Sequence, residues 1–507
     1  MNDFFKDMET LVSFIIEKNA KEIPSISAII YDDKTISYLE LRNTVNNIVT
    51  LLKKEGIPKN ICIGLRFKNE MNFCIFHLAL FKMGIAQTII NTKENDNLQL
   101  NTVNKIGVDL IIQDIPLNNI LFEETIYFDD NLNIQKGISK NLKENDSLSK
   151  NTSVIFLGSG TTDTQKIITL NSSILSHELK KSMYYFRGDL KEVFFCYSKI
   201  FYPYTRRSLL LAFFKGMTFL LYKNIKNFIS FCLEKKVDHL QLTGDQACNI
   251  LLKNCININT IQLPNLKSCS LSSSLITQTL RKKILSSITK NLYIVYGTNE
   301  FGIISEATPS DIITHEGTVG KVLPGISLRI VDDEGKECKT NIIGNILVKS
   351  SNMVNKYTNN EEATKKVFTK DGYYPGDLGR LTEDGNLIFE GRKDDMMIFS
   401  GVNIYPRELE SVLEAHENVI ESAVFPLKIN GKDGIPFAVV VVNKSITELE
   451  LLKWCHSKLG WKRPQKIFFI KELPKNSLGK VMKNKLKQEV ISVLLRNNGN
   501  ISQKKRQ

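Results

Sequence analysis

The sequence lacks the signatures that mark several common protein classes. It has no CxxC pair, and its nine cysteines, an odd number, are scattered from Cys62 to Cys455. That excludes a zinc ribbon and a disulfide framework and points to thiols kept in a reducing compartment. The six histidines show no HxxxH or HExxH spacing. No uninterrupted apolar run reaches the roughly 18 residues that a membrane-spanning helix needs. The N-terminus, MNDFFKDMETLVSFIIEKNA, begins with acids and reads as an amphipathic helix. It has no basic n-region and no small-residue cleavage site, so the expected location is cytoplasmic. There is no internal repeat, and no phosphate loop of the GxxxxGK[ST] type.

What is present is an ordinary globular mixture: 507 residues, 42% hydrophobic and 24% charged. That length suits a large α/β unit with an appendage. Lys and Arg number 67 against 54 Asp and Glu, a net charge of +13. The balance suits polyanionic ligands. The basic residues are dispersed and no nucleic-acid-binding motif accompanies them, so no nucleic-acid partner is expected.

Short β-branched runs (SAIIYD, ICIGLRF, AQTIIN, DLIIQD, SVIFLG, EVFFCY, LYIVYG) alternate with segments of helical spacing. In YLELRNTVNNIVTLLKKEG, Leu39, Val45, Ile48 and Leu51 or Leu52 are expected to share a helix face. Alternation of strand and helix implies parallel sheets covered by helices. After about residue 317 the pattern turns to DG- and EG-punctuated hairpins. A small α+β unit follows from about Lys393 to Leu495, and the polar NNGNISQKKRQ reads as a frayed basic tail.

Four segments carry candidate chemistry. In SVIFLGSGTTDTQKIITL a strand runs into Ser159, Gly160, Thr161 and Thr162, with Lys166 beyond. Small residues let backbone N–H groups and hydroxyls approach phosphate oxygens. In LYIVYGTNEFG a buried strand delivers Tyr296, Gly297, Asn299 and Glu300 to its carboxyl end, where ligands bind in open α/β sheets. Tyr296 could stack on a flat ring and Glu300 could hold a hard cation. In GYYPGDLGRLTEDGNLIFEGRKDDMMIFSGVNIYPRELE, Asp377 can accept from two vicinal hydroxyls and Arg392 can pair with phosphate or ribose oxygens. Asp394 sits where a hinge between the two units would fall. In LPKNSLGKVMKNKL, Lys480 is a point charge on a flexible stem, suited to an anionic transition state. Read singly, each segment also fits a solvated loop or turn, and for the Ser159–Lys166 loop and the Lys480 segment that reading is the favoured one.

In this order and spacing the four segments resemble the adenylate-forming acyl-CoA synthetase superfamily of acyl- and aryl-CoA ligases, luciferases and adenylation domains. The resemblance covers nearly the whole chain, with DDMMIFSGVNIYPRELESVL similar to bacterial fatty acyl-CoA ligases and YSKIFYPYTRRSLLLAFFKGMTFLL to benzoate-type ligases. It implies an α/β fold: a large N-terminal domain of helix-covered mixed sheets with a β-barrel-like subdomain (residues 1–391), a small mobile α+β lid domain (392–497) and a disordered basic tail (498–507). It implies ATP, Mg²⁺ and CoA, or a carrier-protein phosphopantetheine, as cofactors. The implied activity is conversion of an aromatic or fatty acid to acyl-AMP and then to a thioester. Alternatives are loading of an acyl carrier protein, and a weakened nucleotide-binding relative.

The implied roles follow residue by residue. Ser159, Gly160, Thr161, Thr162 and Lys166 contact the β,γ-phosphates. Ser273, Tyr296, Gly297, Asn299 and Gly401 belong to the nucleotide site. Glu300 is associated with Mg²⁺, Asp377 holds the ribose with Arg392, Lys480 bridges carboxylate and α-phosphate, and Asp394 is the hinge. The sequence departs from the family's SGTTGxPKG loop at Asp163, Gln165 and Ile167. Tyr202 stands where amino-acid-activating members carry an Asp, which removes the usual ammonium partner.

Overall fold

The computed structural model describes the chain apart from residues 1–5, 116–121, 123, 138–141, 146–147, 149–150, 159–165, 184, 254–259, 273–275, 352, 400–401, 430–431, 476–480 and 505–507, and apart from the side chains of 252–253, 403, 428–433 and 495–504. Every one of the seven β-branched runs forms a strand. They fall into two sheets. One has seven strands, with Thr125–Phe128, Leu110–Gln113, Cys62–Arg66, Ala86–Ile89 and Thr152–Leu157 running parallel and an antiparallel strand at each edge. The other has fifteen. Ser27–Tyr31, Thr218–Leu221, Val193–Cys196, His239–Thr243, Ser268–Ser272 and Leu292–Thr298 are parallel, and from Gly302 onward the added strands are antiparallel. The hairpin-rich segment after residue 317 thus continues the ladder of the second sheet.

Helix Glu70–Met83 is buried on all sides, as an all-round apolar helix must be. Asn69 caps its start and Gly84, at φ +67°, ends it. Helix Tyr38–Lys54 starts with a Ser37/Glu40 capping box and buries Tyr38, Leu41, Val45, Ile48 and Leu52. Leu39 is exposed, contrary to expectation. The inward stripe runs 38, 41, 45, 48, 52, and residue 39 lies about 100° off it. The eight cysteines among the described residues are free thiols, and six of those are buried. Among the described residues no helix is long and apolar enough to cross a membrane.

After Arg392 a short 3₁₀ turn, Lys393–Asp395, leads into a separate α+β unit. Its three-stranded sheet (Val419–Ile429, Lys432–Val442, Lys466–Phe469) carries helices Pro406–Glu414 and Glu448–Leu459 and has its own core of Leu409, Leu413, Val424, Val440, Leu451 and Cys455. The last helix runs Lys483–Lys504, well into the segment expected to be a disordered tail. Each further helical residue adds one backbone hydrogen bond, which favours propagation once a turn exists. Among the described residues, ion pairs that join the units are Lys475 to Asp245 at 3.6 Å and Lys393 to Asp333 at 2.6 Å.

Glu414 lies in the wall of the C-terminal unit that faces the larger one. Ser422 donates to its Oε1 from both N and Oγ, while Oε2 has no partner. Burial raises its pKa to about 7, Glu410 adds to this, and Arg407 and Ser422 oppose it. The folded protein therefore holds this proton more tightly than the unfolded chain, whose value is 4.5. Stability should fall as pH rises from about 4.5 to about 7. Glu414→Gln should be more stable than the parent at pH 8, on the order of 1 kcal/mol, and the difference should vanish towards pH 4, as read by urea denaturation at both pH values.

Candidate nucleotide and acid site

The parallel strands of the second sheet end at a cleft of about 2800 Å³, closed on its far side by the C-terminal unit. That is several times the roughly 300–1,000 Å³ of a single small-molecule pocket. Strand Leu292–Thr298 carries Tyr296 to this edge, and the buried phenol donates to Asp377 Oδ2 at 2.6 Å. Asp377 begins a strand paired with Asn386–Arg392 in a register that sets Asp377 opposite Arg392. Arg392 Nη1 donates to Asp377 Oδ1 at 2.9 Å and to the Pro375 carbonyl at 2.6 Å. Gly376, at φ +79°, makes this possible: a Cβ there would sit 3.0 Å from Arg392 Nη2. Asp377 is 6% exposed, so its carboxylate is held ready at the cleft wall. Burial first, then Asp377, raises the Tyr296 pKa well above its usual value. For Arg392, burial lowers the pKa but the Asp377 carboxylate outweighs it, so the guanidinium stays charged.

Gly297 has a different reason to be glycine. A Cβ there would meet the Gly302 carbonyl oxygen at 2.3 Å, so only glycine allows strand Gly302–Ala307 to fold back so closely. That turn presents Glu300, whose Oε1 accepts from Tyr357 at 2.9 Å. Tyr357 is 3% exposed, and the Lys166 ammonium lies 4.9 Å from its ring centre. The neighbouring Thr358 bonds the strand after the phosphate-loop segment: its N donates to Ile167 O at 3.0 Å and its hydroxyl meets Thr169 Oγ1 at 2.7 Å. One tyrosine thereby ties Glu300 to Lys166. Asn299 uses its carbonyl, which accepts from Arg207 at 3.4 Å, and Arg207 is in turn 2.9 Å from buried Glu178. Burial raises the Glu178 pKa against the pull of Arg207 and Lys181.

The expected residues Lys166, Tyr296, Gly297, Asn299, Glu300, Asp377 and Arg392 therefore share one cleft. Tyr296 presents its hydroxyl to Asp377, and its ring packs on Phe389 with centroids 5.7 Å apart. Asp394 is exposed in the 3₁₀ turn, 3.9 Å from Arg392 Nη2. Ser159, Gly160, Thr161, Thr162, Ser273, Gly401 and Lys480 lie outside the described residues. Among the described residues no three His, Cys, Asp or Glu side chains cluster as a self-sufficient metal cage. A lone carboxylate such as Glu300 fits Mg²⁺, which keeps waters and takes its other ligands from substrate phosphates. Tyr357, Glu178 and Arg207 carry no motif in the sequence, and only the fold reveals them.

The AMP-binding enzyme model matches residues 16–358, and the AMP-binding enzyme C-terminal domain model matches 408–480. The chain belongs to the AMP-binding enzyme family. A 2-succinylbenzoate–CoA ligase of Bacillus cereus is 27% identical over 513 aligned positions, covering 95% of this chain and 99% of that protein. A long-chain-fatty-acid–CoA ligase of Yersinia pestis is 34% identical over 208 positions, 40% of this chain and 37% of that protein. Among solved structures, O-succinylbenzoate CoA synthetase (MenE) from Bacillus subtilis in complex with ATP and magnesium ion superposes with a TM-score of 0.80 at 24% identity, covering 93% of this chain and 99% of that one. ATP-bound MatB from Rhodopseudomonas palustris gives 0.82 at 22% identity, covering 95% and 99%. At these identities the structures establish the shared fold.

Two substitutions separate the bonds that hold this cleft wall. Tyr357→Phe removes one neutral donor to Glu300 and should cost about 1 kcal/mol of unfolding free energy. Arg392→Gln strips a buried carboxylate of its cation and should cost about 2 kcal/mol, the half-exposed guanidinium moderating the loss. Equilibrium urea denaturation of both variants checks the ordering.

Proposed function

We propose that this AMP-binding enzyme is an ATP-dependent acid–thiol ligase, activating an aromatic or fatty carboxylic acid as acyl-AMP and passing the acyl group to a thiol, CoA in the favoured reading. The observation that carries the proposal is the buried Asp377 carboxylate, held by Tyr296 and Arg392 at the carboxyl end of the parallel strands. A carboxylate so placed can accept from both hydroxyls of a ribose. The near full-length likeness to a protein named as a CoA ligase supports it.

On this reading the acid's carboxylate oxygen attacks the α-phosphorus, the bond to the β-phosphate breaks, and pyrophosphate leaves. Asp377 fixes the ribose. Ser159, Gly160, Thr161, Thr162 and Lys166 hold the outer phosphates. Ser273, Tyr296, Gly297, Asn299 and Gly401 shape the nucleotide site. Lys480 bridges the two anions that must meet, an electrostatic contribution of about 3–4 kcal/mol. A bound magnesium ion would neutralise phosphate charge, with Glu300 holding it and Tyr357 orienting that carboxylate. The thiolate then attacks the acyl carbon and AMP departs. Residues 1–391 would form the adenylating domain and 392–497 the lid, turning about Asp394 so that one cleft serves both steps. A cytoplasmic location agrees with the free, mostly buried thiols. A carrier-protein phosphopantetheine is the alternative acceptor.

A second reading, a weakened nucleotide-binding relative, is favoured by Asp163, Gln165 and Ile167 in the phosphate loop, where an acid adds repulsion. Pyrophosphate release from ATP and Mg²⁺ across aliphatic, aryl and amino acids, with and without CoA, tests both readings. The ligase reading predicts release that needs one class of acid, with AMP and thioester formed when CoA is present. Lys480→Ala should lower that rate about 100- to 1,000-fold. An inactive parent that gains turnover with Asp163→Gly and Gln165→Pro would establish the second reading.

A further inference from the structure

The helix Pro203–Phe214 puts two arginines side by side on the cleft wall, and they differ in one respect. Arg207 is paired, with Glu178 at 2.9 Å and the Asn299 carbonyl at 3.4 Å. Arg206 is the more buried, 6% exposed, yet among the described residues no carboxylate, carbonyl or aromatic ring meets its guanidinium. The charged groups that act on it are all cationic or neutral: Arg207 beside it, and His77 on helix Glu70–Met83. Burial of an unpaired guanidinium is among the costliest arrangements a protein can hold. Burial, with Arg207 adding to it, lowers the Arg206 pKa only to about 9, so the group is still a cation at neutral pH. The neighbouring His77, buried with its Nε2 unpartnered, is pushed down to about 3, chiefly by burial and then by Arg206, and supplies no counter-charge.

We propose that Arg206 is an anion subsite of the acid pocket, and that the acid this enzyme activates carries a second acidic group. The proposal rests on the ligase reading and deepens it. A simple fatty or aryl acid has one carboxylate, and that carboxylate is consumed at phosphorus. The phosphates of ATP are not the matching anion. Arg207 faces the Asn299–Glu300 side, where they belong on the ligase reading, and successive helix residues diverge by about 100°, which turns Arg206 away from that side towards His77. The same stretch of helix offers neutral polar groups to the remainder of the acid. Ser208 Oγ donates to Gln241 Oε1 at 2.6 Å, and both residues line the cleft. A guanidinium in such a wall gives a carboxylate a two-pronged, charge-assisted partner.

The test compares acids that differ only by the second carboxylate: hexanoate with adipate, and 4-oxo-4-phenylbutanoate with 2-succinylbenzoate. Equilibrium binding and pyrophosphate release are both read, for the parent and for Arg206→Met. The parent should bind at least one diacid about 30-fold or more tightly than its monoacid. Arg206→Met should erase that preference through KM, leave KM for ATP unchanged, and melt without ligand at the same temperature as the parent or higher, because a buried unpaired charge is gone. Arg206→Lys should restore part of the preference. Four results overturn the proposal: no diacid preference in the parent, a preference that survives Arg206→Met, a lower melting temperature for that variant without ligand, or a raised KM for ATP. Selective diacid binding with no pyrophosphate release from any acid would sink the ligase reading and leave the subsite standing. Equal release from both members of each pair would do the reverse.

Discussion

The arrangement turns on one buried carboxylate. Asp377 joins three parts of the molecule at a single point: the last parallel strand of the large sheet through Tyr296, the antiparallel extension through its own strand, and the exit to the C-terminal unit through Arg392, whose next residue begins the 3₁₀ turn. A carboxylate that is 6% exposed must be charge-compensated or it would neutralise. Arg392 supplies the charge, and the phenol of Tyr296 fixes the geometry. The requirement explains both flanking peculiarities, a glycine with positive φ at 376 and the register that faces 377 with 392. The hinge candidate Asp394 lies 3.9 Å from the same arginine, so the joint between the units starts at the proposed ribose site.

A second theme is the management of like charges. The proposed reaction brings two anions together, and the cleft answers with cations at graded distances from compensating groups. Lys166 rests on an aromatic face, Arg207 is fully committed to Glu178 and Asn299, and Arg392 is committed to Asp377. Lys475 of the C-terminal unit is shared between Glu421 and Asp245 across the cleft. Against that background Arg206 stands out as a buried cation with no paired carboxylate among the described residues. The overall charge of +13 therefore matters less than where individual cations are left unanswered.

Much of the architecture was legible in the sequence because the signals are local. Short apolar, β-branched runs ending in glycine, such as SVIFLG and LYIVYG, need no long-range information to be read as strands. Helix faces were less secure: Leu39 looked apolar enough to count, but its neighbours Tyr38 and Leu41 hold the buried stripe. The residues that escaped are those whose role depends on long-range packing. Tyr357 reaches Glu300 across 57 residues, and nothing in KYTNNEEATKK announces that its ring will also support Lys166. Asp245 carries no motif in the sequence, yet its side chain is 19% exposed and faces Lys475 of the other unit. Arg206 is equally silent in sequence, since only the three-dimensional structure shows it buried with no paired acid among the described residues.

The central claim, that the Asp377 carboxylate grips the ribose, is tested most directly by crossing a change in the enzyme with a change in the nucleotide. Pyrophosphate formation would be measured for the parent and for Asp377→Asn with ATP and with its 2′-deoxy and 3′-deoxy analogues. The account predicts that removing either hydroxyl costs the parent about tenfold or more in kcat/KM for the nucleotide, and that most of this penalty disappears in Asp377→Asn, whose neutral amide offers a weaker acceptor. Equal penalties in both proteins would contradict it, because the hydroxyls would then be held elsewhere.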